Sequence, residues 1–204
     1  MILGLLGALF VGATVWRPAP DSERWLRGSA GEVGTAAALE ALPPRRWHVF
    51  HDLGVPGSRA NIDHLAVGRT GVWVIDTKTT RAPVRIGLLS VRLGDRRLST
   101  ESVRWQAEVV SERLGVKARP LIALHRGGSA DGSRFPRRGV SRGGVRVVLA
   151  GDLASRLRRG RRRLGRSAAE TLAGEVLSVF RPAAGRARQN EAGRQKRSDG
   201  SQTT

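Results

Sequence analysis

Residues 61–78, NIDHLAVGRTGVWVIDTK, constrain the fold more than any other stretch. Two apolar runs with strand-like alternation meet at a short turn flanked by glycines, the pattern of a half-buried β-hairpin. With Arg69 and Thr70 as the two loop residues, position 68 faces 71, 65 faces 74 and 63 faces 76. Directly opposed residues point to the same side of a sheet. Side chains repeat with period two, so Lys78 joins that side. The register therefore gathers Asp63, Asp76 and Lys78 at the open end of the hairpin. A turn one residue longer would scatter them.

The flanking segments supply a sheet and its helices. Residues 29–42, SAGEVGTAAALEAL, have a helical apolar stripe that Pro43 and Pro44 stop. Residues 47–53 alternate as a strand, and a loop rich in turn residues follows. Residues 84–93 suggest one or two further short strands. Residues 101–114 form a second helix with Val103, Ala107, Val110 and Leu114 on one face. Residues 119–124 and 145–150 read as strands, separated by a Gly/Ser/Arg-rich loop at 126–143. Residues 152–163 begin as a helix and become a basic cluster. Ser167 and Glu170 match a capping box for a last helix ending near Phe180. From 181 onward no apolar patterning remains, and the tail is expected to be disordered. This order of elements is that of an α/β fold with a central mixed sheet.

Two carboxylates that close repel each other unless a cation lies between them. A hard divalent ion, Mg²⁺ or Mn²⁺, suits oxygen ligands and keeps several of its waters. Such an ion yields a better nucleophile and stabilises charge on a phosphoryl oxygen. A lysine beside it can orient or deprotonate the water, or meet the charge of the transition state. Arginine would serve proton transfer poorly because it stays protonated. These are the parts of a metal-dependent phosphodiesterase. The same Asp-x-Lys at a strand end also occurs as a plain surface ion pair. His51, His64 and His125 are read as structural, since His64 alternates away from Asp63. The chain has no cysteine, which excludes disulfides, Cys-ligated zinc and thiol catalysis.

GSAGE at 28–32 with its helix, HDLGVPGSRANIDHLAVGRTGVWVIDTK at 51–78, and the helix containing Trp105-Gln106 together resemble the NERD family, the nuclease-related domain. The similarity runs from about residue 23 to 157. It implies a restriction-endonuclease-like fold of the PD-(D/E)xK type, a mixed sheet flanked by helices. By this resemblance Glu32 is the acid of the first helix, Asp63 the "D", and Asp76 with Lys78 the "(D/E)xK". Asp63, Asp76 and Glu32 would be the metal ligands, and Gln106 the polar residue of the next helix. Ile62 stands where the superfamily name has proline. Asp76 replaces the commoner glutamate, which would draw the metal closer to the strand. Glu32 on its own could equally be a first-turn acid facing the helix dipole.

The formal net charge is +19, from 33 arginines and three lysines against 17 acids. That balance predicts attraction to a polyanion, nucleic acid or an anionic membrane surface, with nucleic acid as the expected partner. From residue 126 onward there are 19 Lys/Arg against six Asp/Glu, so most of the excess lies in the C-terminal part. Arg156, Arg158, Arg159, Arg161, Arg162 and Arg163 could track a phosphate backbone, with salt-dependent and sequence-neutral affinity. No base-reading motif accompanies them. Residues 1–16 are uncharged. As a helix they would span roughly 24 Å, against a hydrocarbon core of about 30 Å. They are read as a marginal membrane anchor with the basic body on the cytoplasmic side, or as an apolar helix packed on the domain. The expectation is a metal-dependent DNA phosphodiesterase. Its alternative is a nuclease-like module that binds nucleic acid without cutting it.

Overall fold

The computed structural model of the chain describes residues 20–126 and 135–183. The hairpin forms with the expected register. Strand β2 (Asn61–Gly68) pairs antiparallel with β3 (Gly71–Thr80), with Gly68 opposite Gly71 and Leu65 opposite Val74. Gly71 has φ +116°, a conformation that admits no ordinary side chain and lets the chain reverse after only two loop residues. On the outer side β1 (Trp47–Gly54) pairs antiparallel with β2. There the Trp47 ring covers the backbone of Gly68, directly opposite it, where a Cβ would collide.

From β3 the chain forms a small antiparallel sheet of β4 (Val84–Ile86), β5 (Val91–Leu93) and β6 (Arg96–Arg97). Helix α2 (Glu101–Leu114) then returns it to β7 (Ala118–Arg126), parallel to β3. Strand β9 (Val145–Leu149) runs parallel to β7, and β8 (Val140–Arg142) closes the edge antiparallel to β9. The six strands lie in the order β1-β2-β3-β7-β9-β8. The fold is thus the α/β mixed sheet flanked by helices that the element order and the resemblance implied.

Strand alternation divides the core in two. Leu65, Val67, Val72, Val74, Ile122 and Leu124 face α2 and the C-terminal helix α4 (Arg166–Val179). Ala66, Trp73, Ile75, Leu121 and Ala123 face α1 (Pro20–Glu40) and the short α3 (Leu153–Arg158). The hairpin is therefore buried on both faces rather than half-buried as its alternation suggested, because helices cover the sheet on each side.

Four local expectations are corrected. Helix α1 starts at Pro20, nine positions before the periodicity announces it, and ends at Glu40. Part of the 126–143 loop is strand, because β8 finds an edge to pair with. Ser167 does not cap α4: Gly165 is the N-cap, with no side-chain bond, and Glu170 pairs with Arg166 at 2.9 Å. Residues 181–183 are ordered along β1, where Gly54 N donates to Arg181 O at 2.8 Å and Ala183 N to Asp52 O at 2.8 Å. The rest of the tail and residues 1–16 lie outside the described residues. Among the described residues no helix is long and apolar enough to cross a membrane.

Candidate active site

Asp63, Asp76 and Lys78 meet on the α2 side of the sheet, at the open end of the hairpin. Asp76 is 7% exposed, and Lys78 Nζ donates to its Oδ1 at 2.9 Å. The β2–β3 ladder stops at the pair His64–Ile75. One residue further, the Asp63 side chain replaces the lost strand partner: its Oδ2 accepts from Thr77 N at 2.8 Å. Burial raises the pKa of Asp63 to about 6; the Thr77 bond opposes this, while the charges of Asp76 and Glu32 add to it. Burial also raises that of Asp76, against the pull of Lys78. Both carboxylates therefore hold their protons more tightly than they would in water.

Glu32 sits on α1, over the opposite face, and reaches Asp63 through its charge. The helix comes close enough because its contact face is small. A Cβ on Gly34 would stand 2.7 Å from His125 Cε1, and one on Gly31 would collide with Thr79 Oγ1. Between these glycines and the strand lies a polar relay. Thr77 Oγ1 donates to Thr35 Oγ1 at 3.0 Å, and Thr35 Oγ1 lies 2.8 Å from His125 Nε2. Sequence reasoning passed over Thr35 and Thr77. The signal was Thr77 itself, placed between the two functional residues of β3 and so directed to the other face.

The half-buried Asp63 and the buried Asp76 share one lysine, Lys78, and the charge of Glu32 reaches Asp63 as well. Oδ1 of Asp63 and Oδ2 of Asp76 receive no hydrogen bond among the described residues. One carboxylate oxygen from each aspartate fits a hydrated divalent ion, which needs only one or two carboxylates. Among the described residues no three His, Cys, Asp or Glu side chains close into a cage. Glu32 is near enough to act on Asp63 by charge.

Gln106 is 4% exposed, not turned to solvent, while its neighbour Trp105 is 39% exposed. Its Nε2 donates to Asn61 O at 2.9 Å, two residues before Asp63, and its Oε1 is buried with no partner among the described residues. The histidines have structural partners: His51 Nδ1 lies 2.6 Å from His64 Nδ1, and His125 is tied to Thr35. The end of the 156–163 cluster stands at the closed turn, while Arg156 lies over Trp73 partway along the sheet. Arg163 N donates to Arg69 O at 2.9 Å, in the closed turn of the hairpin. Six residues of strand separate that turn from Asp76, or roughly 20 Å.

The six-stranded mixed sheet flanked by helices is that of an α/β domain consistent with a nuclease-like fold. Residues 27–125 match the family model of the nuclease-related domain, NERD. Over 58 residues it is 36% identical to an uncharacterized protein of Bacillus anthracis, covering 27% of this chain and 27% of that protein. The chain thus spans about a quarter of the length of that curated relative. No solved structure matches it.

Proposed function

We propose that this protein is a nuclease that hydrolyses phosphodiester bonds in DNA with Mg²⁺ or Mn²⁺. The observation that carries the reading is the pairing of half-buried Asp63 with buried Asp76, both with raised pKa, beside Lys78. Asp63 and Asp76 would hold the ion, and Glu32 adds negative charge at the same place. A bound divalent ion supplies a more acidic water and neutralises charge on a phosphoryl oxygen. Lys78 orients the attacking water and meets the negative charge that grows on the phosphoryl group. Gln106 holds the Asn61 carbonyl, two residues before Asp63, and so positions the strand end that carries this carboxylate. The water oxygen bonds to phosphorus, the ester P–O bond breaks, and the departing oxygen takes up a proton. Arg156, Arg158, Arg159, Arg161, Arg162 and Arg163 hold the backbone elsewhere on the domain.

The test uses supercoiled plasmid, with Mg²⁺ or Mn²⁺ and with chelator, and the Asp76→Ala variant. Metal-dependent nicking that the variant lacks is the expected result. A second reading is a domain that binds without cutting, and the anchoring of the cluster's end at the closed turn, away from the carboxylates, favours it. Plasmid that is retarded but uncut, with no effect of metal, would decide for that reading.

A further inference from the structure

A cavity of about 520 Å³ opens beside the closed end of the hairpin, away from the carboxylates. Arg45, Arg46, Arg69, Arg162 and Arg166 line it, against one carboxylate, Glu170. Glu170 is already spent on Arg166. The Arg69 Nε is buried there with no hydrogen-bond partner among the described residues. A buried donor left unmet costs its lost hydration, which an acceptor at this place would restore. Helix α4 also starts at the cavity, and its first amides lack a side-chain cap because Gly165 is the N-cap. Converging guanidinium forks and uncapped amides fit phosphate oxygens, which accept from both.

The parts come from four separate places in the chain. Arg45 and Arg46 precede β1, Arg69 is in the hairpin turn, Arg162 follows α3, and Arg166 opens α4. The fold brings them together, so the patch is not a mere run of basic residues. Arg162 also belongs to the cluster pinned to the turn through Arg163, which makes the cavity continuous with an extended basic surface. That continuity favours a chain of phosphates over a small isolated anion. Nucleic acid rises about 3.4 Å per base pair, so the roughly 20 Å of strand between Thr70 and Asp76 corresponds to about six base pairs.

We propose that this cavity is a phosphate-binding site that holds the nucleic-acid backbone about six base pairs from the carboxylate pair. The proposal rests on the nucleic-acid reading above for the identity of its occupant, but not on cleavage. Its test is therefore binding in chelator, where no metal-dependent step occurs. Fluorescence anisotropy of a labelled duplex and calorimetry with inorganic tripolyphosphate would compare three proteins. These are the full chain, R46S/R162S/R166S, and R85S/R96S/R97S, which loses the same charge from the small sheet.

The cavity variant should lose at least about tenfold in duplex affinity, and its slope of log K against log salt should shrink by about 2–3. The control variant should lose much less. Tripolyphosphate should raise the melting temperature of the parent and the control but not of the cavity variant, which separates site loss from misfolding. Equal losses in both variants, or none in either, would overturn the proposal. Loss of tripolyphosphate binding with duplex binding intact would assign the cavity to a small polyphosphate and overturn the backbone assignment. A parent that binds as described but never nicks plasmid would sustain this site while sinking the nuclease.

Discussion

Lys78 Nζ stands 2.9 Å from Asp76 Oδ1, two residues back on the same strand and the same side of the sheet. The pair is unequal. The lysine side chain is 42% exposed and the aspartate 10%, so the lysine supports a buried charge from the rim of the site. An exposed partner of this kind contributes little to stability, about 0–1 kcal/mol. Its consequence lies in what Asp76 can do.

Lys78→Met should reduce metal-dependent nicking by about 10²–10⁴-fold, the range for removing a proton-transfer or charge-stabilising group. It should change the free energy of unfolding by no more than about 1 kcal/mol. Plasmid assays beside urea melts would show both. A variant that nicks as fast as the parent would confine Lys78 to an ion-pair role.

Asp63 gives the domain an acid-side stability profile. Its folded pKa is about 6, above the ordinary value of 3.8. The folded state therefore binds the proton more tightly than the unfolded chain, and this contribution is fully present below pH 3.8. It is lost as pH rises to about 6, and Asp76 shifts in the same direction. Without metal, the melting temperature should fall across that window, with Asp63 contributing up to about 3 kcal/mol. Asp63→Asn keeps an oxygen for Thr77 N and should flatten the fall. Millimolar Mg²⁺ at pH 7 should raise the parent's melting temperature more than the variant's. A parent whose stability rises from pH 4 to 6 would refute the shift.

The hairpin, its register and the grouping of Asp63, Asp76 and Lys78 were legible because strand periodicity and a two-residue turn leave one arrangement. Helix α2 was legible from its apolar face, and its bounds match residue for residue. Less could be seen of what depends on contact between distant segments. The start of α1 has too little periodic signal to mark it. Strand β8 exists because β9 offers it an edge, and 181–183 lie along β1 for the same reason. The relay Thr77–Thr35–His125 joins positions up to 90 residues apart. The arginine cavity draws on four segments. The basic run at 156–163 was plain in the sequence, but nothing there said that it folds against Arg69, far from the acids.

Gly34 tests whether α1 needs its close approach. In an exposed helix Gly→Ala gains about 1 kcal/mol. Here the added Cβ would stand 2.7 Å from His125 Cε1, and that ring is held at 2.8 Å by Thr35. Overpacking of this kind costs about 1–3 kcal/mol, so packing should win. Gly34→Ala should lower stability by about 1–2 kcal/mol and move Glu32 away from Asp63. The second effect would appear as a fall in the Asp63 pKa, read by NMR titration. A stabilised variant with that pKa unchanged would show that α1 has room to spare.

Thr70 ties the basic end of the domain to its core. It is fully buried. Its Oγ1 accepts from Trp73 Nε1 at 3.1 Å and donates to Leu157 O at 2.9 Å. Arg119 and Arg156 stack over the same Trp73 ring, at 4.9 and 5.8 Å. One hydroxyl thus fixes an indole that two arginines lean on, together with the end of α3 from which the 156–163 cluster continues. Thr70→Val keeps the shape but leaves the indole N–H and the Leu157 carbonyl unmet, at about 1–3 kcal/mol for each group. Thr70→Ser keeps the hydroxyl and should recover most of that loss. The carboxylate pair lies roughly 20 Å away along the strand, so metal-dependent nicking at saturating plasmid should survive in Thr70→Val. Its duplex affinity should fall as the cluster loosens. Denaturation and anisotropy measured on the same preparations would check this. Loss of nicking in step with affinity would mean that the basic end positions the substrate over the acids as well as holding it.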